Sequence, residues 1–316
     1  MTRRATVLLI VLAALALAGP WLAPYEAGRA FRGYVHAPPM LPRLSEGLGV
    51  YPLVLEDRVE QRFVEDRTRT LSLPWRERGA PVFLLGADRD GRDVLSRMLI
   101  GARLSIGLGL VSVLGATLLG SLLGAWAGAR GGWTDEAVMR SADFLLVLPI
   151  IYVVLALRAM LPLVLAPSVV FALMAVIFTA VGWPFVARGV RALVAREREQ
   201  EYVLAARSLG AGPWRILWRH LLPACTGHVA VQASLLLPAF ILAEATLSYV
   251  GLGFPDPLPS WGRMLADAGN VNNLARFPWT LAPAGAIFAV TYATNAALQA
   301  RADHRIRFPE QEVTPS

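Results

Sequence analysis

Apolar residues in this chain come in long unbroken runs, not in short alternations. Six such runs lie near 5–24, 98–128, 142–165, 167–189, 227–252 and 279–300. A helix rises about 1.5 Å per residue, so about 20 apolar residues cross about 30 Å of hydrocarbon. Every run meets that length, and the second and third are long enough to tilt or protrude. The pattern predicts an all-α polytopic membrane protein with six transmembrane helices. Between the first two runs the texture changes. The stretch YPLVLEDRVEQRFVEDRTRTLSL alternates charged and apolar residues, which reads as short strands, with a partly ordered linker as the alternative.

Composition agrees with this class. Hydrophobic residues make up 55% of the 316, charged residues 17%, and mean hydropathy is +0.50. Soluble domains carry about 25% charge, and here the apolar excess sits in the runs. All 30 basic residues are arginine. A P-loop needs a lysine on the β/γ-phosphates and Schiff-base chemistry needs a lysine amine, so the chain is read as neither a P-loop nucleotidase nor a Schiff-base enzyme. Cys225 is the single cysteine, which excludes an intrachain disulfide and a cysteine-based metal cluster. His36, His220, His228 and His304 are scattered without metal-ligand spacing.

Arginine placement orients the chain. With the N-terminus inside, Arg130 and Arg140, the cluster Arg191, Arg196, Arg198, Arg207, Arg215 and Arg219, and finally Arg301, Arg305 and Arg307 fall on cytosolic pieces. Both termini are then cytosolic, and 25–97 becomes a small extracytoplasmic insertion. The first run has two readings. Arg3, Arg4 and the pair Ala16 and Ala18 fit a cleaved secretory signal, whereas the length of the run favours a retained span. Trp21, Trp126, Trp183 and Trp279 fall near span ends and read as interfacial anchors.

The segment 197–223, EREQEYVLAARSLGAGPWRILWRHLLP, lies between the fourth and fifth runs. Glu197, Glu199 and Glu201 suit a helix N-terminus. Tyr202, Ala205, Ala206 and Leu209 share a helical face. Gly210 can end that helix in the left-handed conformation, and Pro213 suits the first turn of a second. There Trp214, Leu217, Trp218 and Leu221 form an apolar stripe, with Arg215 and Arg219 facing away. Such a hairpin either lies on the inner leaflet or docks a partner; its small residues suit close packing, its tryptophans suit lipid.

Leu204-Ala205-Ala206, three residues, Gly210, then Leu222-Pro223 resembles the EAA loop of ABC-type import permeases. The family pattern is Glu-Ala-Ala, three residues, Gly, nine residues, Ile, one residue, Leu-Pro, and the spacing here matches. Leu204 stands where the family has Glu, and His220 where it has Ile. Glu201 lies one turn before Leu204 on a neighbouring face. Four further stretches, at 85–110, 131–149, 182–194 and 242–265, resemble the C-type permease subunit of dipeptide, oligopeptide and nickel importers. The resemblance covers about 85–307. It implies the type I ABC importer permease fold, with a first helix at 1–24, the insertion at 25–97, a core at 98–307 and a tail at 308–316. It also implies that Glu201, Leu204, Ala205, Ala206, Gly210, Leu222 and Pro223 couple to an ATPase. The implied partners are a second homologous permease, two ATPase chains holding ATP and Mg, an extracytoplasmic solute-binding protein and membrane lipid. No cofactor, metal or nucleic acid is expected on this chain, and the implied cargo is a short peptide or similar small solute.

Gly120, Gly124 and Gly128 recur every four residues on the second run, which suits close helix packing, within the chain or against a second permease. Charge inside a span needs a partner or a role. Glu244 lies about 25 Å along its run. It is read as pairing with Arg158 or Arg103, either to fix an outer gate or as a static tie between helices. Asp143 reads as a solvated end residue. A secondary transporter or channel acting without an ATPase is the alternative function. A membrane enzyme fares worse, because no convergent acid, base, nucleophile or metal set appears.

Overall fold

The computed structural model describes residue 14 and residues 18–43, 49–58, 60–68, 70–72, 81–162, 165–269 and 271–307, without the side chains at 150, 271–273, 295 and 297–307. Most of the expected first span, the charges at Arg3 and Arg4, the side chains of Arg301, Arg305 and Arg307, and the tail at 308–316 lie outside the described residues. Residues 18–22 are helical.

Among the described residues three helices are long and apolar enough to cross a membrane: α1, Val94–Arg130; α4, Pro167–Glu197; and α8, Thr226–Tyr249. At 37 residues, α1 reaches about 55 Å, well beyond the hydrocarbon. The third run departs from a single span over 142–165. It forms the end of α2, Gly132–Val147, and then α3, Ile150–Ala159, with the two axes bent by 91°. Pro149 is the cause. Its ring drives Leu148 out of the helical region, to φ −77° and ψ 131°. The last run belongs to α11, Ala282–Arg307, entered through a 3-10 turn at Pro278–Leu281.

The described chain divides into two compact units. One comprises 108–243 with 291–307. Its centre is α4, whose Val170, Met174, Phe178, Val181, Val190 and Val194 form a buried stripe at helical spacing. Phe178 stacks on Phe240 of α8 with centroids 5.2 Å apart. This unit also holds α5, Glu201–Ser208; α6, Pro213–Ile216; a π turn at Leu217–Leu221; and α7, Leu222–Ala224.

The other unit comprises the described residues up to Gly107, together with Glu244–Val290. Its 25–97 region has a small core of its own, in which Ala37, Met40, Val50, Leu53, Val82, Phe83 and Ala87 are buried beneath Phe31, Tyr34 and Phe63. Two antiparallel ladders edge it. β1, Gly49–Val50, pairs with β4, Leu71–Ser72, and β2, Leu53–Asp57, pairs with β3, Arg62–Glu65. Short helices α9, Trp261–Ala268, and α10, Val271–Arg276, complete the unit.

Candidate functional site: the 197–223 hairpin

The hairpin begins where α4 stops. Glu197 belongs to the last turn of α4, where it accepts from Arg196 and from the Tyr202 hydroxyl, both at 3.0 Å. The backbone then turns extended at Gln200, and α5 starts with Glu201 alone in its first turn. Three acids therefore do not share one N-terminus; the turn at 198–200 separates Glu197 and Glu199 from α5.

Gly210 closes α5 at φ +84°. Its N–H donates to Arg207 O at 2.9 Å, and the next, Ala211 N–H, donates to Ala206 O at 3.0 Å. These are the two bonds of a Schellman cap, which fixes the exit direction of the chain. A Cβ at Gly210 would meet nothing within 4 Å, so the backbone angle, not lack of space, calls for glycine here. Pro213 opens α6. Pro223 then has no N–H to offer the carbonyl one helical turn back, and the chain widens into the π turn just before it.

That widening changes which residues face inward. Ile216, Leu221 and Cys225 are buried, together with Val203 of α5. Of the stripe Trp214, Leu217, Trp218 and Leu221, Leu221 is buried and Leu217 half-buried while both tryptophans are exposed, because the π turn shifts the helical phase between its two halves. Trp214 is 71% exposed and Leu209 88% exposed, and Tyr202, Leu204 and Trp218 are exposed beside them. The hairpin thus presents large apolar side chains on a stiffly capped backbone. Ala205 is exposed and Ala206 half-buried, with Leu222 half-buried and Pro223 exposed.

The same unit holds α1 tightly against α4. A Cβ at Gly120 would lie 2.6 Å from Trp183 O, one at Gly128 would lie 2.6 Å from Arg191 O, and one at Gly124 would run into the Ala187 backbone. Trp183 is buried in a cluster with Ala142 of α2 and Ala187, against which Leu123 and Val138 pack, and does not stand at an interface as an anchor. Around the base of the hairpin, Arg191 pairs with Asp135 through two bonds, Arg188 pairs with Asp143, and Arg198 donates to Gly128 O at 3.1 Å. Asp143 is therefore a paired residue, not merely a solvated one.

The candidate ion pair takes a different form. The Glu244 carboxylate is 1% exposed and accepts from Ser105, Ser248 and Ser260. Among the described residues no arginine pairs with it. Arg103 is exposed, and Arg158 is buried with its guanidinium donating to Pro162 O at 3.3 Å. Hydroxyls fill the carboxylate's acceptor positions that a guanidinium would have taken. Sequence reasoning passed over these serines, since serine is common in spans; the pairing of Glu244 with Ser248 at four-residue spacing was the available signal. It also passed over Arg97, 1% exposed and 3.1 Å from Asp88. Asp88 in turn pairs with Arg92 at 3.0 Å, and Asp267 with Arg89 at 3.0 Å.

Residues 120–308 match the family model for the binding-protein-dependent transport system inner membrane component. The oligopeptide transport system permease protein OppC of Bacillus subtilis (strain 168) is 40% identical over 211 residues, 66% of this chain and 67% of that one. The di/tripeptide transport system permease protein DppC of Pseudomonas aeruginosa (strain UCBPP-PA14) is 35% identical over 253 residues, 80% of this chain and 70% of that one. A solved structure of the MetNI methionine ABC transporter in inward-facing conformations aligns with a TM-score of 0.49 at 17% identity, over 65% of this chain and 95% of that chain. The chain belongs to the family of binding-protein-dependent transport system inner membrane components, and is a permease subunit of an ABC importer.

Proposed function

We propose that this subunit forms half of a translocation path for short peptides or similar small solutes, and that separate ATPase chains drive it by gripping the 197–223 hairpin. The observation that carries the coupling role is the exposed apolar set Tyr202, Leu204, Leu209, Trp214 and Trp218, held on a capped turn. Exposed apolar patches of this kind mark interaction sites. A stiff handle transmits displacement, whereas a floppy loop would absorb it. In this reading Glu201, Leu204, Ala205, Ala206 and Gly210 meet the ATPase, and Leu222 and Pro223 carry the motion into α8. The peptide assignment rests on the relatives named as peptide permeases.

The arginine distribution supports placing the hairpin and both termini in the cytosol. The 25–97 region then faces outward, where a solute-binding protein would deliver cargo. ATP and Mg act on the partner chains, and this chain performs no covalent chemistry. Reconstitution tests the proposal. Proteoliposomes holding this chain, its partner permease and the ATPase chains, with the solute-binding protein supplied on the extracytoplasmic side, should take up short peptides only with ATP. Uptake by this chain alone would favour a secondary transporter or channel and overturn the coupling role.

A further inference from the structure

The Glu244 carboxylate joins three elements. Ser105 comes from α1, Ser248 from the same helix α8, and Ser260 is the N-cap of α9. Ser248 Oγ and Ser260 Oγ each donate to Oε1 at 2.7 Å, and Ser105 Oγ donates to Oε2 at 3.3 Å. Two of the three hydroxyls are used twice. Ser260 Oγ accepts from Arg263 N at 3.1 Å, capping α9, and Ser105 Oγ accepts from Trp261 N at 3.0 Å. The Trp261 indole adds a bond to Met98 O at 3.1 Å. Gly262 leaves no gap: a Cβ there would lie 2.8 Å from Ala245 N and from Glu244 Oε2. The far end of α9 is tied as well, through Asp267 to Arg89 at 3.0 Å.

A buried carboxylate is costly unless its acceptor positions are filled. Packing α9 on the two spans by apolar contact alone would have avoided that cost. What the carboxylate adds is direction, because hydrogen bonds fix an angle and a register where apolar contact permits sliding. We propose that Glu244 is a positioning residue that clamps α9 to α1 and α8, so that the three move as one body when the permease changes state. This deepens the permease reading and rests on it. Loss of the clamp would uncouple transport while the ATPases keep turning over.

The discriminating comparison is Ser260→Ala against Ser248→Ala. Each removes a bond of equal length to the same oxygen, but Ser248 ties α8 only to itself, whereas Ser260→Ala also removes the α9 cap; the Glu244 variants, which leave that cap in place, separate the clamp from the cap. Whole transporter complexes in proteoliposomes are assayed for uptake of di-, tri- and penta-alanine, for ATP hydrolysis, and for amide hydrogen exchange at residues 261–264. Ser260→Ala and Glu244→Ala should lower uptake per ATP and speed that exchange by roughly 5- to 150-fold, the span of ordinary coupling energies. Glu244→Gln, which keeps one acceptor oxygen, should fall between them and wild type. Ser248→Ala should stay within about twofold of wild type, and Ser260→Thr should restore the behaviour of Ser260. Equal effects of Ser248→Ala and Ser260→Ala overturn the clamp, as does unchanged exchange in Glu244→Ala. If Glu244→Ala does not assemble, Glu244→Gln decides, since it leaves the Ser260 cap in place; exchange as in wild type then overturns the clamp. If wild type takes up none of the three peptides, the peptide reading fails, and the exchange comparison still decides the clamp.

Discussion

The hairpin and the Glu244 cluster are opposite departures from the same rule. The hairpin puts tryptophan and leucine outside; the cluster puts a carboxylate and three serines inside. Scattered exposed apolar residues are ordinary, but a contiguous apolar patch or a buried polar group calls for an explanation. The hairpin's exposed apolar residues are what the proposed ATPase contact would cover. The cluster's carboxylate is explained by partners already present in the chain. In the proposed reading the first site is completed by another chain and the second within this one, which would separate a coupling surface from an internal tie.

The largest effect should come from destroying the hairpin's shape or face. Gly210→Val forces a β-branched side chain into the left-handed region, and Ala206→Glu puts charge on the proposed docking face. Either should abolish uptake and ATPase co-purification while membrane insertion stays normal. Normal association in both would break the comparison, since the hairpin would then be no handle. The next effect concerns the buried charge. Arg97→Ala removes the guanidinium beside Asp88 and Asp267, and loss of one partner of a buried pair costs roughly 3–5 kcal/mol. Thermal unfolding should show it, and an unchanged midpoint would mean that Asp88 is satisfied by its other arginine, Arg92. Trp214→Ala comes third. As an interface anchor it should weaken ATPase binding by about 2 kcal/mol, roughly 30-fold, without altering the stability of the isolated subunit. The reverse pattern would make Trp214 a lipid contact.

The smallest effect is a pH dependence. Burial pushes the Asp93 carboxyl up from its ordinary 3.8 to about 6, against the opposing hydrogen bonds from Ser96. A raised carboxyl pKa means that the folded chain holds the proton more firmly than the unfolded one. The stability this contributes is present below about pH 4 and is lost as pH rises through about 6. Thermal stability in that window should therefore fall as pH rises, and Asp93→Asn should flatten the slope.

Much of the fold is legible in the residue pattern because long apolar runs leave few alternatives. α1, α4 and α8 lie where the second, fourth and fifth runs predict helices. The alternation around 53–65 does correspond to β2 and β3. Gly210 and Pro213 mark turns whose chemistry is local, so the cap and the helix start can be read from neighbouring residues. What was not legible depends on long-range contact or on phase. The break at Pro149 was visible as a proline, but whether a proline kinks or ends a helix is decided by its surroundings. The π turn before Pro223 shifts the helical phase, so of the stripe read at ideal spacing Leu221 is buried while Trp214 and Trp218 are exposed. Glu244 finds serines 139 and 16 residues away, and no spacing rule connects them. Gly120, Gly124 and Gly128 announce close packing by their repeat, while their partner, the Trp183–Val194 stretch of α4, becomes visible only in the fold.

Site-specific photo-crosslinking from the hairpin tests the central claim most directly. A photoreactive residue placed at Leu209 or Trp214, activated in native membranes, should yield a covalent adduct with an ATPase chain, and the adduct should disappear in the Gly210→Val background. Crosslinks to lipid alone, from both positions, would contradict the claim that a motor protein grips this hairpin.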